Sequence, residues 1–245
     1  MMCTTKRQLI RVSGSAVAGL IAAVAAPTVM PWPARGEDKS AGEKLKESVT
    51  GRKQEVTPPE DLMREHGVLD RVLLLYEAAI RKFSTNEDFN PALVTQSAEI
   101  IRDFINNYHA KSEEAHVFPR FRQARQMVDL VDTLLQQHDA GRRVTQTILR
   151  LAASSRTSGD ERGQLADAMR SFIVMYRPHA AREDTELFPK LKDVVSSNEY
   201  DAMSEEFEKK EHQLFGEDGF EKMAAHVAQL EREMGIYDLN QFTPS

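Results

Sequence analysis

From Thr57 to Lys190 apolar side chains recur at steps of three and four, with polar ones between them. That period predicts amphipathic helices. Thr57-Pro58-Pro59-Glu60 predicts the first start: a threonine cap, prolines in the first turn, and glutamate at the capping-box position. Leu62, His66, Leu69, Leu73, Tyr76 and Ile80 then share one face, until the pattern breaks near FSTNEDF. Asn90-Pro91 predicts a second start, and Val94, Ala98, Ile101, Ile105, His109, Glu113 and His116 share its stripe. Phe118-Pro119 is expected to close that helix, because proline has no N–H and its ring crowds the preceding turn. A third stripe, within about 124–154, carries Val128, Val131, Leu135, His138, Thr145 and Leu149, and SSRTSGD after it reads as a loop. A fourth, within about 161–190, carries Leu165, Met169, Phe172, Tyr176, His179, Glu183 and Leu187. Pro178 lies inside it and is expected to kink or bulge the chain just before His179. Short connections between such helices predict an all-α, up-down-up-down four-helix bundle over 57–190. Residues 191–245 predict a helical extension, with Asp218 and Glu221 as the capping box of its last helix.

Each of these four stripes carries a histidine on its apolar side. A single buried imidazole is ordinarily a core residue satisfied by a neighbour. Four of them, two with a glutamate one turn further on, require another explanation, because a buried carboxylate is costly unless it is paired or bound to a cation. The histidines also lie at one level. Counting residues from the helix starts and from the closing prolines puts His66, His109, His138 and His179 about 15 Å from the same end of an antiparallel bundle, at 1.5 Å per residue. The segments HAKSEEAHVFP and HAAREDTELFP repeat one spacing: histidine, glutamate four residues on, then Phe-Pro. Residues i and i+4 are neighbours on one helix face, so His109 with Glu113 and His179 with Glu183 point the same way. Imidazole with carboxylate suits iron, manganese or zinc, and four His with two Glu exceed one tetrahedral zinc. His116 and Glu186 lie near the glutamates and are further candidates, either as ligands or as residues that orient them. Glu114 and Asp184 are expected to face solvent, Tyr108 and Tyr176 to pack in the core, His212 to be a surface or packing residue, and His226 an ordinary residue of an amphipathic helix.

Composition narrows the partners. The net charge is −6, and no Lys/Arg-rich stretch is interleaved with aromatics, so nucleic acid is not an expected partner. The one cysteine, Cys3, precedes a basic segment and an apolar run from Val12 to Ala26. Residues 1–36 thus read as an export leader, 37–56 as a polar linker, and a metal would be held without thiolate. TKRQLIR resembles the twin-arginine export motif, with Lys6 in place of the first arginine. A periplasmic location is expected, with membrane attachment only through an uncleaved leader.

His66 in REHGVL, His109 and Glu113, His138 in LLQQHDAG, and His179 and Glu183, with their Phe-Pro pairs, resemble the hemerythrin-like (HHE cation-binding) proteins. The resemblance implies a four-helix bundle holding two non-heme iron ions, with oxo and carboxylate bridges and a position for O2. It implies the four histidines as terminal ligands and Glu113 and Glu183 as bridges. Oxygen-carrying hemerythrins use two histidines one turn apart on the third helix, whereas Arg142 stands four residues after His138 here. That departure favours NO, peroxide, redox or sensing chemistry over reversible O2 carriage. The competing expectations are a di-iron oxidase or peroxidase, and a structural bundle that binds zinc or no metal.

Overall fold

The computed structural model describes residues 56–154 and 159–244. The leader, and the linker up to its last residue, fall outside them. The first helix, α1 (Pro58–Thr85), starts on the expected capping box and ends at Asn86 in the left-handed conformation. The second, α2, begins as Ala92–Ile100 and continues through a π-helical run, Ile101–His109, a short α-turn, Ala110–Ser112, and a second π-helical run, Glu113–Val117. It ends as Phe118–Ala124. Helix α3 spans Val128–Ser154. Helix α4 spans Gly159–Arg182 and extends through a π turn, Glu183–Leu187, a 3-10 turn, Phe188–Lys190, and Leu191–Val194. Neighbours in sequence are neighbours in space, and α4 returns to α1, which closes the four into a bundle.

The proline readings need correction. Pro119 does not close α2; it lies in the first turn of the segment that carries the helix on to Ala124. The same holds at Pro189. In each copy the glutamate opens a π turn, and the phenylalanine N–H bonds five residues back, Phe118 to the Glu113 carbonyl and Phe188 to that of Glu183. The extra residue in the turn shifts the carbonyl that the ring would strike, and the helix passes. Pro178 makes no bulge, since α4 remains α-helical across it. Pro178 is exposed, as is Val174, so the carbonyl whose bond the proline removes lies on the solvent side of the helix.

The tail is two further helices, α5 (Ser197–Phe215) and α6 (Gly219–Met234). Helix α5 has its own capping box, Ser196 with Glu199. The box expected at Asp218 is absent: that residue has φ 57° and makes no side-chain cap. The tail completes the core. Val227, Leu230 and Met234 join the larger apolar cluster, and Arg71 clamps Glu231 through two hydrogen bonds of 3.0 and 2.6 Å. Tyr200, Met203 and Phe207 join a smaller cluster with Val117, Phe118, Leu187 and Phe188. Between these two apolar blocks lies one buried polar layer.

Candidate metal centre

The layer contains the six residues that the repeated spacing singles out. His66, His109, Glu113, His138, His179 and Glu183 are all buried, none more than 3% exposed. Two groups form, His66–His109–Glu113 and His138–His179–Glu183, each with its ligating atoms within 4.8 Å of one another. The glutamates join the groups. Glu183 Oε2 lies 3.1 Å from His179 Nε2 in its own group and 3.4 Å from His66 Nε2 in the other. Glu113 Oε2 lies 3.6 Å from His109 Nε2 and 3.3 Å from His138 Nε2.

Each histidine is held from behind. His66 Nδ1 bonds Asp184 at 2.8 Å, His109 Nδ1 bonds Glu65 at 2.6 Å, His138 Nδ1 bonds Glu114 at 3.1 Å, and His179 Nδ1 bonds Gln137 at 2.8 Å. All four partners are oxygen acceptors, so Nδ1 carries a proton and Nε2 is the atom turned inward. The pattern obeys an internal two-fold logic. The residue before the histidine on α1 or α3 orients the histidine of the next helix. The acid after each core glutamate orients a histidine on another helix. Glu114 and Asp184 therefore have a different place from the solvent-facing one expected. Phe188 stacks on His66 with rings 5.7 Å apart and 19° between planes, and Phe118 stacks on His138 at 5.4 Å and 24°. This accounts for the repeated Phe-Pro: each phenylalanine roofs a ligand ring.

The donor set suits a cation. His66 Nε2 and His109 Nε2 face each other at 3.0 Å. Two inward lone pairs at that distance repel unless a proton or a cation lies between them. Both oxygens of Glu113 and of Glu183, and Nε2 of His138, are buried without a hydrogen bond. Ligands about 2.1 Å from a metal lie roughly 3.0–3.4 Å from one another, which these contacts match except that of His109 with Glu113 at 3.6 Å. The electrostatics agree. Burial would lower His66 and His138, but the acids around them outweigh it and raise them to about 10 and about 9. Burial lowers His109 to about 4 and also lowers His179. Burial beside Glu183 raises Glu113, whereas the histidines around Glu183 overcome its burial and hold it low.

The remaining candidates lie outside the layer. His116 is half-buried and packs edge-on against Phe207 of α5, because the π turn that starts at Glu113 rotates it off the glutamate's face. Glu186 is exposed and pairs with Arg182 at 2.8 Å. Arg142 turns outward to Glu114 and Asp139, so it braces the acid behind His138. Tyr176 packs beside His179 and donates a 3.4 Å hydrogen bond to Asn106, which donates to Thr145. A Cβ at Gly141 would overlap the Tyr176 hydroxyl, so only glycine leaves that ring its place. His212 and His226 are exposed.

A model of the hemerythrin HHE cation binding domain matches residues 57–191. An uncharacterized protein of Mycobacterium bovis is 43% identical over 242 residues, covering 98% of this chain and 91% of its own. Uncharacterized proteins from two strains of Mycobacterium tuberculosis show the same identity and coverage. No solved structure matches the chain.

Proposed function

Since the chain belongs to the hemerythrin HHE cation-binding family, we propose that its buried layer holds two iron ions and meets a small ligand there: NO, peroxide or O2. The observation that carries this reading is the position of the two glutamates. Each touches histidines of both groups, and each has both oxygens without a hydrogen bond, which suits a carboxylate shared by two cations. Two nitrogens and two shared oxygens per ion fall short of an octahedral set and leave room for an outside ligand. Bound iron would supply one-electron chemistry and affinity for diatomic ligands. The chain's own residues fix the imidazole tautomers through Nδ1, keep the donors in one plane of the bundle, and shut out bulk water with Phe118 and Phe188. Arg142 occupies the position of a fifth histidine and lends no nitrogen to either ion, which weighs for redox or sensing use over oxygen carriage. The leader at 1–36, read as an export signal, would place this chemistry outside the cytoplasm.

Protein purified without added metal is expected to carry about two iron atoms per chain and to absorb in the near-UV. Elemental analysis showing zinc alone, or no metal, in a colourless sample overturns the reading.

The protonation pattern gives a second expectation. Without metal, His66 and His138 titrate at about 10 and about 9 and hold protons at pH 7. Metal must displace them, so binding at pH 7 is expected to release about two protons per chain and to tighten as pH rises toward 9. The metal-free fold has the opposite dependence. Raised histidines stabilise it fully below their free value of 6.5 and lose that contribution as pH climbs through 9 to 10. Glu65, raised by burial to about 8, and Glu113 act in the same direction, since their neutral forms are favoured in the fold. Calorimetry in buffers of different ionisation enthalpy counts the protons, and melting of the metal-free chain from pH 7 to 10 checks the sign.

A further inference from the structure

The internal two-fold logic fails at one position. Gln137 orients His179 with a neutral amide oxygen, and its counterpart Glu65 orients His109 with a carboxylate. Since a neutral acceptor does this work on one side, charge at Glu65 is not needed for it. Glu65 is 1% exposed, and its carboxyl group is gathered with two others. Its surroundings add negative charge. Asp61, one turn earlier on α1, and Glu211, on α5, bring ligand oxygens within 4.8 Å of those of Glu65. The Tyr108 hydroxyl is buried among the same three acids, close to Glu65 but in hydrogen-bond geometry with none of them. Two cations stand nearby: Lys210 of α5, which interacts with Glu65, and Arg64, whose Nη1 stands 3.8 Å from Asp61 while Nη2 is bonded to Glu221 at 3.2 Å. One Glu211 oxygen accepts the Phe220 N–H at 3.0 Å, which fixes that side chain between α5 and α6.

We propose that Asp61, Glu65, Glu211 and the Tyr108 hydroxyl form a second cation site, one that takes a hard divalent ion such as Mn2+ behind the His109 wall of the core. The donors are all oxygen, in contrast to the nitrogen-rich layer, and oxygen sets select hard ions. Burial raises Asp61 to about 7 and raises Glu211 as well, and Arg64 offsets only part of this. Helix α5 closes the cluster and supplies Glu211, which gives the tail a chemical role beside its packing role. Asp61 and Glu211 are partly exposed, so an ion reaches the cluster from solvent, whereas the histidine layer is enclosed. The site shares Glu65 with the core, through the 2.6 Å bond to His109, and does not depend on which metal the core holds.

The test uses the full chain, with its core first filled by zinc, which nitrogen donors prefer to manganese, and then dialysed. Mn2+ is titrated in, and free Mn2+ is read by electron paramagnetic resonance. The wild-type chain is expected to bind about one Mn2+, and Glu211→Gln and Asp61→Asn each to weaken it at least about tenfold, since ligand charge sets affinity at such sites. Glu211→Gln keeps the acceptor for Phe220, and circular dichroism confirms that each variant folds. Equal Mn2+ binding by wild type and both variants overturns the proposal, as does no binding by the wild type. Zinc content of the same samples reports separately on the histidine layer, so failure of the core reading and failure of this one are distinguishable.

Discussion

Replacing His109 by alanine is expected to cut the metal content to half or less and to destabilise the chain with and without metal. The first effect follows from the geometry. His109 is half of the nitrogen supply of its group, and its loss leaves His66 and Glu113 as donors on that side. The second has two separable parts. Truncation leaves Glu65, its partner at 2.6 Å, buried without that hydrogen bond. Because His109 is lowered and Glu65 raised by burial, the pair is a neutral hydrogen bond in the metal-free protein, and its loss there costs about 1–3 kcal/mol. The other part is linkage: a metal at a thousand times its dissociation constant adds about 4 kcal/mol to the wild-type fold. Comparing the melts of both chains, with metal and after chelation, separates the two. Full metal content in the variant would refute the ligand assignment outright. Loss of metal with an unchanged chelated melt would instead mean that the Glu65 contact contributes nothing to the fold.

The parts of this architecture that were legible in the sequence are those that follow helical period. The stripes through Leu62–Ile80 and Leu165–Leu187 place their histidines in the core, and the i, i+4 spacing places each glutamate beside them. The capping box at Thr57 was legible for the same local reason. The orienting residues were not. Glu65 and Gln137 sit one residue before a ligand, and Glu114 and Asp184 one after, where an ideal helix points its side chains off the core stripe. They reach the neighbouring histidine because adjacent helices lie close, which a single helix's period does not express. The repeated Phe-Pro was legible as a repeat, but its consequence was not. Proline reads as a terminator when the turn before it is α-helical, and here a π turn removes the clash. That same turn carries His116 away from the cluster. The equivalence of Glu65 with Gln137 can be seen in EH at 65–66 and QH at 137–138, once those residues are known to act in pairs.

Phe188→Ala is expected to lower stability by about 3–5 kcal/mol, the range for truncating a buried aromatic ring. For a chain of this size that corresponds to a fall in melting temperature of roughly 6–20 °C. The ring is 1% exposed and packs in the smaller apolar block with Leu62, Leu187 and Leu191. Its position adds a functional effect to the structural one. Stacked on His66, it separates the polar layer from that end of the bundle. The cavity left by truncation would border His66 and Glu183, whose polar atoms can hold water, so it is expected to hydrate where an apolar cavity would stay dry. Metal bound beside it should then exchange faster with a chelator in solution. Phe188→Leu refills most of the volume without the flat ring, and is expected to recover most of the stability. Phe118→Ala provides the symmetric comparison, since Phe118 roofs His138 as Phe188 roofs His66. Two roofs of equal function should give similar increases in chelator-driven metal loss. If Phe188→Ala loses stability while metal leaves at the wild-type rate, the ring supports the bundle but does not seal the site, and another barrier must keep water out.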